Sequence, residues 1–261
     1  MGDHDTVFLM YHELEQPGRP LCQTAPGYVR YVLHADQFRE QMLLLKQMGW
    51  RGVSVSEALS YSGKNVAITF DDGCETDLLF AAPVLRECGF GATFYLTTGF
   101  VGKPGFLQPA QVQELAALGF ELGCHSMTHA YLTDLDDDNL HREIATAKSQ
   151  LEQIAGRPVD HFSCPGGRHN RRVSEMARRA GYKTVVTSDF HANSPASDPY
   201  ALGRVAVMHG TSPATVAALC SGHGLRAHEL THRVLDGARR LLGNSIYDRL
   251  RNLVLRQNSA E

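Results

Sequence analysis

Two neighbouring aspartates at the end of an apolar run are the residues of this chain whose types best suit chemistry. The run from Ala67 to Phe70 leads directly into Asp71, Asp72 and Gly73. An apolar, β-branched stretch predicts a buried strand, and the glycine allows a sharp turn after it. Two carboxylates at one strand end repel each other and lose solvation, which favours a positive partner such as a metal ion. The alternative is a turn in which both carboxylates cap the next helix.

A second chemical signal is the pair of histidines in His125-Ser126-Met127-Thr128-His129. The pair directly follows an apolar run that ends at Cys124, and on one helical turn its spacing places both imidazoles on one face. Two imidazoles and one carboxylate form a three-ligand set that leaves positions open for water and substrate, as in catalytic zinc sites. The two strand ends together therefore predict a metal site, whose third ligand comes from the aspartate pair.

Short apolar runs alternate with amphipathic segments from Val7 to Met208, and this alternation has to position the two motifs. It predicts an α/β protein with a parallel sheet, either closed into a barrel or open and doubly wound. The sequence has no GxGxxG turn, which disfavours a dinucleotide-binding fold. Polar residues at the strand ends favour the barrel, because barrel active sites lie at that edge. These residues are His12, Asp71, Asp72, His125 and His209.

Length, charge and cysteine usage limit the classes of function. A chain of 261 residues suits one large core, so we expect a single catalytic domain over 1–261. A net charge of -3 gives no broad basic field for nucleic acid. No apolar run has the length of a signal peptide or a membrane span, and the six scattered cysteines favour free thiols. These features predict a cytoplasmic protein.

The residues after Glu229 show a helical pattern, and we expect 229–261 to form a C-terminal helical extension. Leucines recur at helical spacing there, with arginines between them. One interpretation is a basic helix that binds a membrane surface or a partner. We favour the other, a terminal helix that packs its apolar stripe on the barrel and keeps the arginines in water.

The segments Thr69-Phe70-Asp71-Asp72-Gly73 and His125-Ser126-Met127-Thr128-His129 resemble the motifs of the polysaccharide deacetylases, the NodB-like carbohydrate esterases. The resemblance extends from the Met10-Tyr11-His12 run to about Met208 and does not include the C-terminal region. It implies a distorted (β/α) barrel with about seven parallel strands. It also implies hydrolysis of N-acetyl groups on a carbohydrate substrate with the help of a divalent metal.

By position, the resemblance makes Asp72, His125 and His129 the metal ligands and Asp71 the general base. A metal lowers the pKa of bound water from about 15.7 towards about 7, so a carboxylate within hydrogen-bond reach takes its proton. Zinc is the first choice of metal. A site of this composition also accepts cobalt, nickel, manganese or iron.

The resemblance also assigns two further roles to residues of this chain. The tetrahedral oxyanion needs a fixed N–H donor beside the metal, and Gly166 stands at that position. A histidine at the end of the final strand serves the family as the general acid, and His209 after Val205-Ala206-Val207-Met208 fits that place. A histidine after an apolar run is also compatible with a structural role.

The third family motif departs from the usual pattern. Ser163-Cys164-Pro165-Gly166-Gly167 stands where the family has an arginine two residues before a proline and then an aromatic residue. Another group must therefore orient the base. Arg168 paired with Asp189 is one hypothesis, since Ser188-Asp189-Phe190 resembles the fourth motif, and a surface arginine and a turn aspartate are the alternative. His12, at a strand end, could line the substrate cleft or make a structural hydrogen bond.

Together these features predict a metal-dependent deacetylase that acts on an N-acetylated sugar. Two alternatives stay open. The first is an amidase of small cyclic amides or imides on the same barrel, which the unusual third motif allows. The second is a non-catalytic carbohydrate-binding relative. Asp71 disfavours the second, because binding alone needs no base beside a metal ligand. The sequence predicts neither the sugar nor the oligomeric state.

Overall fold

The structure is a computed structural model that describes residues 5–60 and 62–223. In this part of the chain, strands and helices alternate as the apolar pattern predicts. The strands are β1 (Val7–Tyr11), β2 (Leu14–Glu15), β3 (Leu33–His34), β4 (Arg51–Val53), β5 (Asn65–Phe70), β6 (Thr93–Leu96), β7 (Glu121–Cys124), β8 (His161–Ser163), β9 (Thr184–Val186) and β10 (Val205–Ala206).

Helices connect most of these strands. They are α1 (Pro26–Val29), α2 (Ala35–Gln47), α3 (Val55–Ser60), α4 (Ala82–Cys88), α5 (Pro109–Ala117), α6 (Asp137–His141), α7 (Ala147–Ala155), α8 (Arg171–Arg179) and α9 (Pro213–Cys220). The π-helical segments Asp77–Ala81 and Arg142–Thr146 lead directly into α4 and α7. Single 3-10 turns span Leu132–Asp134 and Pro165–Gly167.

Seven strands form one path of parallel pairs, in the order β10-β1-β5-β6-β7-β8-β9, and β4 pairs with β5 beside this path. The sheet is curled, because residues 202–206 reach both of its ends. Leu202 bridges Val186 of β9, and β10 pairs with β1. The expected distorted (β/α) barrel is therefore confirmed. Since all strands of the path run in the same direction, their carboxyl ends meet at one edge.

Alternation along β5 decides which of its side chains face the barrel interior. Ala67 packs with Tyr95 in a small buried cluster. Phe70 instead packs edge-on against Phe38 of α2, with 5.5 Å between ring centroids. Because successive side chains of a strand point to opposite faces, Asp71 lies on the same side as Ala67. The strand thus delivers Asp71 over the interior of the barrel.

The N-terminal loop, residues 12–32, contains little regular structure before α2 begins. Its β2 pairs in parallel with β3 to form a separate two-stranded sheet. The predicted C-terminal helical extension over 229–261 lies outside the described residues. Among the helices of residues 5–60 and 62–223, none combines the length and the apolar character needed to cross a bilayer.

Candidate active site

The chain turns sharply where β5 ends, and this turn separates the two aspartates. The Asp71 N–H donates to the Tyr11 carbonyl over 3.0 Å, which extends the β1–β5 ladder by one residue. Asp72 and Gly73 then adopt φ angles of 78° and 80°. A Cβ atom on Gly73 would lie 2.9 Å from Cδ2 of Leu96, so glycine suits both the left-handed backbone and the close approach. The two carboxylates therefore face different neighbours.

Asp72, His125 and His129 lie together at this edge of the sheet. The Nε2 atoms of His125 and His129 are 3.6 Å and 3.4 Å from Oδ1 of Asp72. The three residues each offer one ligand atom within 4.8 Å of the other two. Oδ1 of Asp72 is buried and has no hydrogen-bond partner among the described residues. A buried carboxylate oxygen without a donor is costly, and two imidazole nitrogens beside it fit a cation site.

A carbonyl group fixes the ring of His125. Nδ1 lies 2.9 Å from the Ser163 carbonyl, which only accepts hydrogen bonds, so we assign the ring proton to Nδ1. Nε2 then keeps its lone pair and faces Asp72. Burial lowers the pKa of His125 to about 4, although the charge of Asp71 opposes this change. The ring is therefore neutral near pH 7, as a metal ligand must be.

The segment that carries both histidines is a loop, so the helical turn inferred from their spacing is wrong. Ser126 and His129 have φ angles of 66° and 64°, which a right-handed helix excludes. The Glu143 carboxylate holds this loop, because it accepts bonds of 2.9 Å from the backbone N–H groups of Met127 and Thr128. The Thr128 hydroxyl donates to the same carboxylate over 2.6 Å. Tertiary contacts, not helical periodicity, bring the imidazoles together.

Asp71 is bound by Arg204, a residue that the sequence analysis did not select. The guanidinium donates from Nη1 to Oδ1 and from Nη2 to Oδ2 of Asp71, each over 2.7 Å. It also donates to the Ser163 hydroxyl over 2.8 Å and to the Thr187 carbonyl over 2.9 Å, and only 1% of the residue is exposed. Arg204 thus provides the orienting charge that was considered for Arg168.

This ion pair sets the charge state of the candidate base. Burial alone would raise the pKa of Asp71, but the charges of Arg204 and His125 hold it well below its ordinary value. The carboxylate is therefore ionised at neutral pH. Its Oδ2 atom lies 3.8 Å from Nε2 of His125, next to the candidate metal site. An ionised carboxylate in this position can accept a proton from water.

His12 lies beside the aspartate pair, directly after β1. Its Nδ1 is buried and lacks a hydrogen-bond partner within the described part of the chain. Its ring stacks on Tyr31, with 4.8 Å between centroids. Burial lowers the pKa of His12, whereas the charges of Asp72 and Asp71 act in the opposite direction. The imidazole is thus within electrostatic reach of both carboxylates.

His209 has different surroundings. Its Nδ1 lies 3.2 Å from the Val32 carbonyl, and its backbone N–H donates to the Arg30 carbonyl over 2.8 Å. Its ring centroid is 5.9 Å from that of His34. These contacts join His209 to the N-terminal loop, and none of its contacts among the described residues reaches the aspartate pair. The structure therefore does not bring this residue together with the other predicted site residues.

The third motif, which differs from the family pattern, forms a tight turn after β8. Gly166 has a φ angle of 59°, and a Cβ atom there would approach Cε1 of Tyr131 to 2.8 Å. The Arg168 guanidinium carbon lies 3.9 Å from the centroid of the same tyrosine ring. The Asp189 carbonyl accepts the backbone N–H of Arg204 over 3.0 Å. The oxyanion role of Gly166 and the pairing of Arg168 with Asp189 stay predictions.

Comparison with known proteins connects the chain to one family. The family model described as polysaccharide deacetylase matches residues 59–185. YxkH of Bacillus subtilis is 30% identical over 183 residues, which are 67% of this chain and 66% of that protein. A peptidoglycan-N-acetylglucosamine deacetylase of Bacillus cereus is 33% identical over 148 residues, 56% of this chain and 67% of the relative. The matched regions span about two thirds of the length of these curated relatives.

A solved structure has the same fold. The Streptococcus pyogenes deacetylase PplD, in complex with acetate, superposes with a TM-score of 0.72 and 24% sequence identity. The match covers 82% of this chain and 96% of that chain. At this level of identity the likeness supports the barrel architecture alone.

Proposed function

The chain belongs to the polysaccharide deacetylase family, and from this premise we propose that it removes the N-acetyl group of an N-acetylated sugar with a divalent metal. One observation carries the proposal. The buried Oδ1 of Asp72, which has no hydrogen-bond partner among residues 5–60 and 62–223, faces two imidazole nitrogens directly beside an ionised Asp71. The Bacillus cereus relative is named as a deacetylase of a carbohydrate, which supports the substrate class.

Asp72, His125 and His129 would hold the metal through one carboxylate oxygen and two imidazole nitrogens. When bound, such an ion polarises a carbonyl oxygen and lowers the pKa of water. Zinc suits this donor set best, and cobalt, nickel, manganese and iron are alternatives. The Ser163 carbonyl keeps Nε2 of His125 directed at the site, as outer contacts of metal-bound histidines commonly do.

Asp71 accepts the proton of the attacking water in this proposal. Arg204 bonds both carboxylate oxygens, and its further bonds to Ser163 and Thr187 prevent the guanidinium from moving with the carboxylate. The base is therefore held in one orientation. Because the arginine favours the ionised form of Asp71, the carboxylate readily releases the proton again.

We assign the protonation of the leaving amine to His12 and not to His209. His12 adjoins the aspartate pair, and its Nδ1 has no partner in the part of the chain that the structure describes, so a ring nitrogen is available for proton transfer. Nδ1 of His209 instead bonds the Val32 carbonyl. A proton donor must lie within hydrogen-bond reach of the leaving group, and the position of His12 meets this condition better.

The oxyanion and the sugar have candidate partners on the turn after β8. We propose that the Gly166 N–H donates to the developing oxyanion. Tyr131 lies against this turn and is 37% exposed, so its ring offers an apolar face for a sugar beside Gly166. The Arg168 guanidinium stacked on Tyr131 keeps the ring in place.

The test is acetate release from a panel of N-acetylated oligosaccharides by metal-loaded wild type and Asp71→Asn, with bound metal measured in both. We expect the variant to retain metal and to lose activity by about 100- to 10,000-fold. Asp198→Asn is the matched control, because this exposed aspartate only accepts the backbone N–H of Tyr200.

Two results would redirect the proposal. Release from cyclic amides or imides, with none from sugars, would identify the amidase alternative. Sugar binding without any turnover, at full metal content, would identify a binding protein. The buried Asp71–Arg204 pair argues against the second result, because binding alone needs no oriented base.

A further inference from the structure

A second cluster of metal-ligating side chains lies where the N-terminal loop meets the turn after β5. Glu13, Cys22 and Cys74 each present one ligand atom within 4.8 Å of the other two. Glu13 follows His12, Cys22 lies in the loop rich in glycine and proline, and Cys74 follows Gly73. The proposed deacetylation uses none of these three side chains.

Asp77 provides an independent sign that this cluster takes a cation. It is fully buried, and neither of its carboxylate oxygens has a hydrogen-bond partner within residues 5–60 and 62–223. The Asp77 backbone N–H donates to the Cys74 carbonyl over 3.0 Å, so this carboxylate lies on the first turn after Cys74. A buried carboxylate without a donor needs a proton or a cation.

The charges around Glu13 lead to the same conclusion. Its buried carboxylate accepts the Cys22 N–H, at 3.1 Å and 3.0 Å to its two oxygens, and the Tyr28 hydroxyl at 2.8 Å. Both donors are neutral, and no basic side chain of the described residues pairs with Glu13. Asp71, by contrast, forms an ion pair with the Arg204 guanidinium. Among the described residues, the buried Glu13 carboxylate next to two thiols therefore has no positive partner.

Neighbouring groups hold the candidate ligands in place. The Tyr28 hydroxyl lies 2.8 Å from Oε2 of Glu13 and 3.3 Å from Sγ of Cys74, so it bridges two of them. Sγ of Cys22 is 3.1 Å from the Gly105 carbonyl. A Cβ atom on Gly105 would lie 2.9 Å from this sulfur, so the thiol needs the space that glycine leaves. These contacts place the three ligand atoms, and the bond from the Cys22 thiol to the Gly105 carbonyl is lost when the sulfur binds the ion.

We propose that Glu13, Cys22 and Cys74 form a second metal site, which binds zinc and ties the N-terminal loop to the turn that carries the catalytic aspartates. Sulfur ligands favour Zn²⁺ over Mg²⁺ or Ca²⁺. Each thiol releases its proton to solvent as its sulfur binds the ion. The three side chains would leave a fourth position on the ion for water or a further ligand.

This site would order a loop that contributes to the substrate side of the barrel. Between β2 and β3 the loop holds only the four-residue helix α1 as regular structure within the described residues. Cys22 lies before α1, and Tyr31, after it, stacks on His12. A metal bound at Cys22 would thus hold the loop at one end of the stretch that positions Tyr31.

Cobalt titration of the reduced full-length protein under anaerobic conditions tests the proposal. Wild type should bind about two equivalents and show the near-ultraviolet charge-transfer band that reports sulfur bound to cobalt. Cys22→Ser and Glu13→Gln should each lose about one equivalent, and Cys22→Ser should also lose most of the band. Cys220→Ser is the matched control, since this buried cysteine lies outside the cluster, and it should behave as wild type.

A further variant separates this proposal from the proposed function. His125→Ala should lose the other equivalent and keep the sulfur band, so failure of the two sites is distinguishable. Absence of the band from wild type with a full catalytic site would overturn the second site. A band that persists in Cys22→Ser would do the same. So would a Cys22–Cys74 disulfide found by mass spectrometry in protein isolated anaerobically, because it would identify a redox pair in place of a metal site.

Discussion

The two edges of the barrel each hold a carboxylate beside histidine, buried in Asp72 and half-buried in Glu121, and their hydrogen bonds differ. At the carboxyl edge, Oδ1 of Asp72 lies 3.4 Å and 3.6 Å from two imidazole nitrogens and has no hydrogen-bond partner among the described residues. At the opposite edge, Glu121 accepts the Thr93 hydroxyl over 2.5 Å and the Val55 N–H over 3.1 Å. The Glu121 carboxylate is also 3.2 Å from Nε2 of His161.

His161 shows the same contrast with the histidines of the site. Its Nδ1 bonds the Thr184 hydroxyl and its Nε2 bonds the Ser56 hydroxyl, each over 2.8 Å. His125 and His161 are both buried, so residue type and burial of the histidine do not separate a site from a structural cluster. The number of hydrogen-bond partners does separate the two. A buried polar group with all its hydrogen bonds stabilises the fold, whereas a buried polar group without them needs a ligand. The contrast agrees with the usual division of barrels, with chemistry at the carboxyl edge and stability at the other.

The largest difference should appear when one histidine at each edge is replaced with alanine in separate variants. We expect His125→Ala to lose bound metal and to lower turnover by more than about 1,000-fold, beyond the 10- to 100-fold of an outer-shell change. His161→Ala should keep its metal and lose about 1–3 kcal/mol of unfolding free energy. Metal analysis, acetate release and urea unfolding measure these changes. Loss of metal from His161→Ala would break the comparison.

His12 and His209 test, within the carboxyl edge, whether the number of hydrogen-bond partners separates a functional histidine from a structural one. His12→Gln should lower turnover by about 100-fold or more, because Nδ1 of His12 has no partner among the described residues and is available to donate a proton. His209→Gln should change turnover by less than about threefold, because that ring bonds a loop carbonyl. Acetate release at saturating substrate, with metal content matched, compares the two. A larger loss in His209→Gln would return the acid role to that residue.

The hydrogen-bonded cluster of Glu121 and His161 should change the pH dependence of the free energy of unfolding at acid pH. Burial alone would raise the pKa of Glu121, but its bonds to His161, Ser56 and Thr93 lower it to about 2. A carboxyl group with a lowered folded pKa stabilises above its unfolded pKa of about 4.3, and this contribution is lost as the pH falls towards 2. Glu121→Gln should thus cost about 2–3 kcal/mol near pH 7 and progressively less between pH 4.3 and 2.

Urea unfolding of both proteins across this pH range gives the difference in free energy. Asp72→Asn in metal-free protein is the matched variant from the other edge, and it should cost less than about 1 kcal/mol because Oδ1 has no donor to lose. A cost equal to that of Glu121→Gln would show that Asp72 is satisfied in solution.

The smallest effect concerns the geometry of the base. Arg204→Lys keeps a positive charge but cannot donate to both oxygens of Asp71 in the planar arrangement of arginine. We expect about a tenfold lower kcat with little change in KM and none in metal content. Arg168→Lys keeps a cation beside Tyr131 and is the comparison variant, whose kcat should stay within about twofold of wild type so that any change lies in KM. The reverse order of effects would restore Arg168 as the orienting residue.

Adjacency in sequence explains which parts of the site could be predicted. Asp71 and Asp72 follow one strand, and His125 and His129 follow another, so parallel pairing alone brings them to one edge. Arg204 is 133 positions from Asp71, and its pairing depends on the register of β10 beside β1. No local pattern contains that information.

The histidine loop shows a different limit. The spacing of His125 and His129 is compatible with a helix, and only the left-handed angles of Ser126 and His129 exclude it. The bonds from Glu143 stabilise this conformation, and Glu143 lies in a helical stretch whose sequence gives no sign of this contact. The barrel itself was predictable because alternating strands and helices extend along most of the chain.

Closure of the barrel by residues 202–206 has a consequence for the newly synthesised chain. The three candidate metal ligands all precede residue 164, as do Glu143 and Ser163, which hold the histidines. The residue that bonds Asp71 instead lies in the stretch that joins the two ends of the sheet. A nascent or truncated chain that ends before Arg204 could acquire its metal and still lack an oriented base. Hydrolytic competence would then arise only after the last strand is in place, and metal loading would be an earlier, separate event in maturation.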